Sequence, residues 1–403
     1  MAYPIDPDTP GVFNPSAPTI MHIDLNSCFA SVEQQANPLL RGKPIVVAAY
    51  AKSYGAILAP SVEAKLYGIK TGMLIRDALE LCPFLIIREA DPPKYRQVHK
   101  QIGELLNDYS PHVISKSIDE FCLTLPVGAP LAVAREVKQR IKSEIGDYLR
   151  VSIGVSTNQV LAKLASGLHK PDGFDIIDSS NVLKIYGSIA LTDFCGINTR
   201  NEARLHRVGV FTIFQFYQAD IQTLKSAFGG VLGRYWYTRL RGYEVDDIEF
   251  ARQSFGQSYV LPRPMNFEEW RPILAKLVSK AARRLRSIGF SASVVHLSLR
   301  FADHTSWHTT HQLQTSLFRD SDLLASALAL SPPIYHPVKK LAVTFAGLIR
   351  DSGQLSCLRD QKRDKILTDA LDKLNDKWGE YSVTYGSMMG SKNHVRDAIA
   401  FGK

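Results

Sequence analysis

Short apolar runs alternating with amphipathic stretches restrict this chain more than any other feature of its sequence. Thr19–Leu25, Pro44–Ala49, Val113–Leu125 and Val151–Val155 are apolar over lengths suited to strands. Between them, Cys28–Ala36, Ser61–Leu66, Arg76–Leu81, Tyr95–Tyr109, Leu131–Leu149 and Asn158–Leu168 carry apolar residues at helical spacing. The pattern predicts sheets covered by helices, an α+β protein of several domains. From about Leu183 to Gly242 the sequence reads as helices punctuated by glycine. Beyond it the pattern predicts helix at Pro272–Ser287, strand at Ser293–Phe301, helix at Ser321–Leu330, strand at Val338–Leu348 and helix at Gln361–Trp378. No run reaches the roughly 20 apolar residues of a membrane-spanning helix. Residues 1–18 are acidic and rich in proline, which predicts a disordered leader without a secretory signal.

Charge divides the chain. Residues 1–250 hold 26 basic and 26 acidic side chains, and residues 251–403 hold 22 and 13, so the whole net charge of +9 lies in the last third. A neutral body with a basic end suits a polyanion, because clustered Lys and Arg release counterions from a phosphate backbone. On the Pro272–Ser287 helix, Leu274, Leu277, Val278, Ala281 and Leu285 form one apolar stripe, and Lys276, Lys280, Arg283 and Arg284 lie off it. That spacing predicts a helix packed on a sheet with its cations offered to DNA. The five cysteines include no CxxC pair, which predicts neither a zinc site nor a disulfide framework and fits a reducing intracellular compartment.

Three carboxylates carry the chemistry. Asp24 ends an apolar strand, where a carboxylate is costly without a partner or a metal. Asp119 and Glu120 are adjacent between Ile118 and Phe121. Neighbours on a regular strand point to opposite faces, so both acids serve one site only if the backbone bends there. On adjacent strands, Asp24 and Asp119 would form a hard-oxygen site suited to Mg²⁺. The same acids also suit a hairpin turn and a strand end.

These residues carry a resemblance. HIDLNSCFASVE (22–33), NPLLRGKPIVV (37–47), SVEAKLYGIKTGM (61–73), YSPHVISKSIDEF (109–121) and SIGVSTNQVLAKLASGLHKPDG (152–173) resemble, in order, the Y-family translesion DNA polymerases of the DinB/UmuC type. The resemblance implies a right-hand polymerase. Its ferredoxin-like palm would span 19–27 and 93–180, with small fingers at 28–92, a helix–hairpin–helix thumb at 181–246, a linker at 247–253 and an α/β little finger at 254–403. It implies two Mg²⁺ ions, with Mn²⁺ as a substitute, held by Asp24, Asp119, Glu120 and the backbone carbonyl of Leu25. Phe29 stands where the family keeps a steric gate against a 2′-OH. Lys170 matches a lysine on the triphosphate, and the amides near Cys28 and Phe29 could receive phosphate oxygens.

The pattern departs from the DinB branch at Val62 and Lys65, where Tyr and Arg usually touch the triphosphate, and UmuC-type members are similar there. Leu58 falls where a small residue often roofs the templating base. CGINTRNEARLHRVGV (195–210) resembles a phosphate-binding hairpin whose G-x-G turn here reads Gly196-Ile197-Asn198. Arg234–Tyr243 interleaves cations and aromatics, a pattern that favours core packing over base stacking. Gln314–Phe318 (QTSLF) resembles the peptide that holds a sliding clamp, through Gln314, Leu317 and Phe318. The expectation is a low-fidelity DNA polymerase, monomeric and cytoplasmic at the nucleoid, that joins dNTPs to a primer on template DNA. A silent DNA-binding scaffold and a two-metal nuclease are the competing classes.

Overall fold

The computed structural model describes residues 12–128, 130–246, 252–332, 336–350, 361–392, 394–395 and 397. Its strands are β1 (Ile20–Leu25), β2 (Ile45–Ala48), β3 (Ile57–Pro60), β4 (Ile86–Glu89), β5 (Val113–Ser115), β6 (Glu120–Thr124), β7 (Val151–Ser156), β8 (Phe174–Ile176), β9 (Ser254–Met265), β10 (Phe290–Phe301), β11 (Ser306–Leu317) and β12 (Val338–Arg350). The described residues fall into two compact units, one within 1–248 and one within 249–397. Among them no helix is long and apolar enough to cross a membrane.

The first unit is built on the sheet β5-β6-β1-β7-β8. Period-two alternation sorts its residues: Met21 and Ile23 of β1, Phe121 and Leu123 of β6 and Ile153 and Val155 of β7 enter one core with Ile102, Leu106 and Val137. The opposite face carries His22, Asp24, Glu120 and Gly154, placed by the registers Asp24↔Glu120 and His22↔Gly154. The Gln159–Leu168 helix lies on that face. Asn158 caps it by accepting from the Leu161 N–H at 2.8 Å. Gly154 makes the approach: a Cβ there would stand 2.1 Å from the Ala162 carbonyl oxygen and 2.2 Å from the Ser166 nitrogen. A smaller sheet, β3-β2-β4, packs Val46, Ala48 and Ile57 against Ile69, Ile75 and Ala78. Beyond β8, short helices close a separate core around Phe194, Phe216, Phe228 and Trp236.

The leader departs from its expectation where it is described. Phe13 is buried in this helical core, and the Asn14 N–H and side-chain amide donate to the carbonyls of Arg241 and Gly242 at 2.8 and 3.0 Å. An aromatic side chain with a core to enter offsets the low hydrophobicity around it. Residues 1–11, linker residues 247–251, Cys357 and residues 398–403 lie outside the described residues. The four described cysteines are free thiols.

The second unit is an antiparallel sheet, β11-β10-β12-β9, packed on the Phe267–Arg286 and Asp320–Ala329 helices. The first of these starts at Phe267 rather than Pro272. The Glu269 carboxylate accepts from the Asn266 N–H at 2.9 Å, and this cap fixes the start and leaves Pro272 inside the helix. The helix buries the expected apolar stripe.

Three of its four expected cations do not face solvent freely, while Arg284 is exposed. Lys276 is buried, with Nζ 2.6 Å from the His394 carbonyl. Lys280 pairs with Glu380 at 3.3 Å, and Arg283 pairs with Asp376. Arg284 lies over the Phe255 ring. The segment after residue 360 supplies most of these partners, and its acids offset the charges of Lys280 and Arg283. QTSLF is likewise no free peptide. Gln314–Leu317 belong to β11, Leu317 packs on the core, and the Phe318 carbonyl accepts from Arg286 at 2.8 Å, so the clamp assignment is withdrawn.

Candidate active site

β1 delivers Asp24 at its end and β6 begins with Glu120 directly opposite. The backbone bends just before β6, as one site for both acids requires. Asp119 lies in that bend, where its carbonyl accepts from the Leu25 N–H at 2.9 Å and its carboxylate accepts from Ser117 Oγ at 2.5 Å. Each strand carboxylate holds an ammonium ion. Lys170 Nζ is 2.7 Å from Asp24 Oδ2, and Lys163 Nζ is 2.8 Å from the Glu120 carboxylate. Burial pushes the Asp24 carboxyl up from its ordinary range, Lys170 pulls it down, and Glu120 and Asp119 add to the rise.

His22, two residues before Asp24, is buried with Nε2 4.0 Å from Glu120 Oε1. Burial, with help from Lys163, Lys170 and Lys116, lowers its pKa to about 3, so the ring is neutral. The closest group of donors among the described residues is thus His22, Asp24 and Glu120, all within 4.8 Å of one another, and it does not include Asp119. Asp119 instead lines the adjoining cleft, of about 290 Å³, with Asp24 and Leu25.

The same cleft collects the other expected residues of this unit. Cys28 and Phe29 line it from the start of the Cys28–Ala36 helix, Leu58 from β3, and Lys65 and Lys170 from loops and helix ends around it. Burial raises the Cys28 thiol and lowers the Lys65 ammonium, the latter with Lys170 adding repulsion. Ser27, before the helix, has φ 50° and no capping side-chain bond. Phe29 is fixed from behind. Its ring stacks on Tyr95 at 4.4 Å between centroids and 11° between planes. Tyr95 donates to Glu33 at 3.0 Å, and Lys94 holds the same carboxylate at 2.9 Å.

Sequence reasoning missed His22, Lys163 and Tyr95. His22 stands at i−2 from Asp24, the spacing that shares a strand face. Lys163 lies one turn into a helix whose packing on β1 and β7 only the fold reveals. Tyr95 looks like any core aromatic.

Gly196 adopts φ +91°, with Trp236 3.0 Å from where a Cβ would sit. Asn198, at φ −93°, does not take a glycine conformation but caps Thr199–His206, accepting from the Asn201 N–H at 2.9 Å. In the Arg234–Tyr243 stretch, Trp236 is core, and buried Arg241 lies 3.5 Å from the centroid of the Tyr237 ring.

Residues 23–167 match the impB/mucB/samB family and residues 252–357 match its C-terminal domain. The chain is 32% identical over 379 residues to DNA polymerase IV of Pelotomaculum thermopropionicum, covering 90% of this chain and 94% of the relative. It is 33% identical over 378 residues to DNA polymerase IV of Moorella thermoacetica, with the same coverages. Among solved structures, the Y-family DNA polymerase chimera Dbh-Dpo4(243-245)-Dbh superposes with a TM-score of 0.71 at 23% identity, covering 82% of this chain and 99% of that one. The insertion ternary complex of Dbh DNA polymerase gives 0.58 at 22% identity with the same coverages.

Proposed function

Because this chain belongs to the impB/mucB/samB family, as a Y-family DNA polymerase of the DinB type, we propose that the cleft lined by Phe29 and Leu58 receives a deoxynucleoside triphosphate beside a primer terminus on template DNA. The protein is a low-fidelity translesion polymerase. The primer 3′-oxygen attacks the α-phosphate, a new P–O bond forms, and pyrophosphate leaves. One observation supports the site above all: Asp24 and Glu120 oppose each other across β1 and β6, next to a cleft that also holds Phe29, Lys65 and Lys170.

Divalent metal use follows from the family. The donors fit it, since two partly buried carboxylates already hold cations and Asp119 and the Leu25 carbonyl add hard oxygens nearby. We assign these four residues to two Mg²⁺ ions, replaceable by Mn²⁺. When bound, the ions supply positive charge to the attacking oxygen and to the leaving pyrophosphate. The side chains do the rest. Lys170 exchanges Asp24 for the triphosphate, and Lys65 adds a second point charge. The N–H groups of Cys28 and Phe29 receive phosphate oxygens. Phe29, braced by Tyr95, excludes a 2′-OH, and Leu58 limits the bulk of the templating base.

DNA contacts fall to other parts of the chain. In the first unit, Gly196 forms the turn that meets a phosphate. In the second, exposed Arg284 keeps its expected role and the open face of the sheet adds to it. Arg300 of β10 and Lys340 of β12 are exposed and directly paired, a like-charge juxtaposition that an anion would relieve. We keep the palm at 19–27 and 93–180, fingers at 28–92, thumb at 181–246 and little finger from 254, with Phe13 and Asn14 attached to the thumb. We place the protein in the cytoplasm, acting as a monomer at the nucleoid. Primer extension on intact and damaged templates, with and without Mg²⁺, tests the whole reading. Extension past a lesion only with the metal is expected, and degradation of the primer without dNTPs would instead make it a nuclease.

A further inference from the structure

Nucleotidyl transfer, as assigned above, leaves His22 without a role. It is 2% exposed, and its Nε2 has no hydrogen-bond partner, in an interior where buried polar atoms are nearly always paired. The strand alternation that places Asp24 also places His22 on the same face, and the register brings Glu120 opposite Asp24. One donor atom from each of the three lies within 4.8 Å of the others. Bonds of about 2.1 Å to a shared ion set donor pairs about 3 to 4 Å apart, so the group needs to close by only about 1 Å.

We propose that His22, Asp24 and Glu120 form a site for one first-row transition ion that fills without nucleotide or DNA. The inference rests on the polymerase reading only in sharing two carboxylates with it. The new donor is a nitrogen, and the site is complete without a phosphate oxygen. An imidazole raises affinity for Mn²⁺, Co²⁺ or Zn²⁺, whereas Mg²⁺ prefers oxygens and keeps its waters. The ammonium groups of Lys170 and Lys163, beside Asp24 and Glu120, are 41% and 43% exposed, so both can swing into solvent when an ion enters.

The test uses the full-length protein, stripped of metal, free of DNA and nucleotide, and titrated with Mn²⁺. Electron paramagnetic resonance counts the ion that remains free, and its pulsed form detects nitrogen coupled to bound Mn²⁺. One site with imidazole nitrogen coupling is expected, not displaced by a tenfold excess of Mg²⁺. In His22→Asn the affinity falls by about tenfold or more and the nitrogen signal disappears. Wild-type Mn²⁺ binding without nitrogen coupling overturns the proposal whatever the variant's folding, and so does coupling that survives in His22→Asn. Primer extension with Mg²⁺ by the wild type keeps the two readings apart. Extension without nitrogen-coupled Mn²⁺ removes His22 as a ligand and leaves the polymerase assignment standing. Nitrogen-coupled Mn²⁺ without extension supports the ligand and sinks the polymerase.

Discussion

The carboxylate cleft of the first unit and the basic helix of the second both pair Lys or Arg with Asp or Glu, but the pairs differ in kind. In and beside the cleft the cations, Lys170 and Lys163, are 41% and 43% exposed and each contributes one charge to one carboxylate. In the second unit Arg286 is 8% exposed and is gripped by Asp320 at 2.6 Å and Asp372 at 2.7 Å. The half-exposed pair is exchangeable, because solvent or phosphate can take the lysine. The buried cluster is fixed, because any group that leaves strands a charge in a poorly solvated place. A count of charges along a sequence treats the two alike.

Breaking each region should therefore register in a different measurement. Asp24→Asn removes the carboxylate that Lys170 now occupies. Primer extension should fall by about 10³-fold, or about 4 kcal/mol of barrier, while thermal stability holds or rises, since a buried charge is lost. A large drop in melting temperature would show the cleft to be as fixed as the helix. Arg286→Ala should do the reverse, costing about 3 kcal/mol of stability in denaturant unfolding. A cost below about 1 kcal/mol would show the cluster to be exchangeable after all.

Phe29→Ala should raise ribonucleotide use relative to deoxynucleotide by about 10²-fold, about 2.7 kcal/mol, and unchanged discrimination would remove its gate role. Charge on the open sheet is predicted to matter where the paired charge of Lys280 does not. Arg300→Ala with Lys340→Ala should lower the slope of log DNA affinity against log salt by about 2, and Lys280→Ala should leave it unchanged. The opposite ranking would restore Lys280 as a DNA contact.

The smallest effect concerns pH. Burial lowers the pKa of His394, with Lys276 and Arg263 adding repulsion. A base whose folded pKa is depressed binds more protons when unfolded, so stability is full above about 6.5 and declines as pH falls below it. Unfolding midpoints at pH 7.5 and pH 5.5 should differ less in His394→Gln than in the wild type.

What could be read from the sequence follows local physics. The strand Ile20–Leu25 and the Cys28–Ala36 helix were legible because alternation and apolar spacing were strong. β9 was not. It is an edge strand, mostly exposed, with Pro262 and Pro264 in it, and an edge tolerates the missing donors that would break a central strand. β11, the other edge, is rich in Thr, His and Gln and has almost no apolar face to announce it. At the site, Asp24, Asp119 and Phe29 were legible as residue types in a recognisable order. The partners that grip Glu120 and Phe29, namely Lys163 and Tyr95, become visible only when separate elements meet. The pairing of Lys280 and Arg283 was not legible because their acidic partners lie 93 to 100 residues further along the chain.

Gly154 has a consequence for the whole cleft. The helix resting on it carries Lys163 and leads into the turn bearing Lys170, and both atoms closest to the missing Cβ belong to backbone that cannot rotate aside. A single methyl group at that position would act as a wedge, lifting the helix and withdrawing both ammonium groups from the acids at once. The electrostatic balance of the catalytic floor thus hangs on the smallest side chain in the sheet.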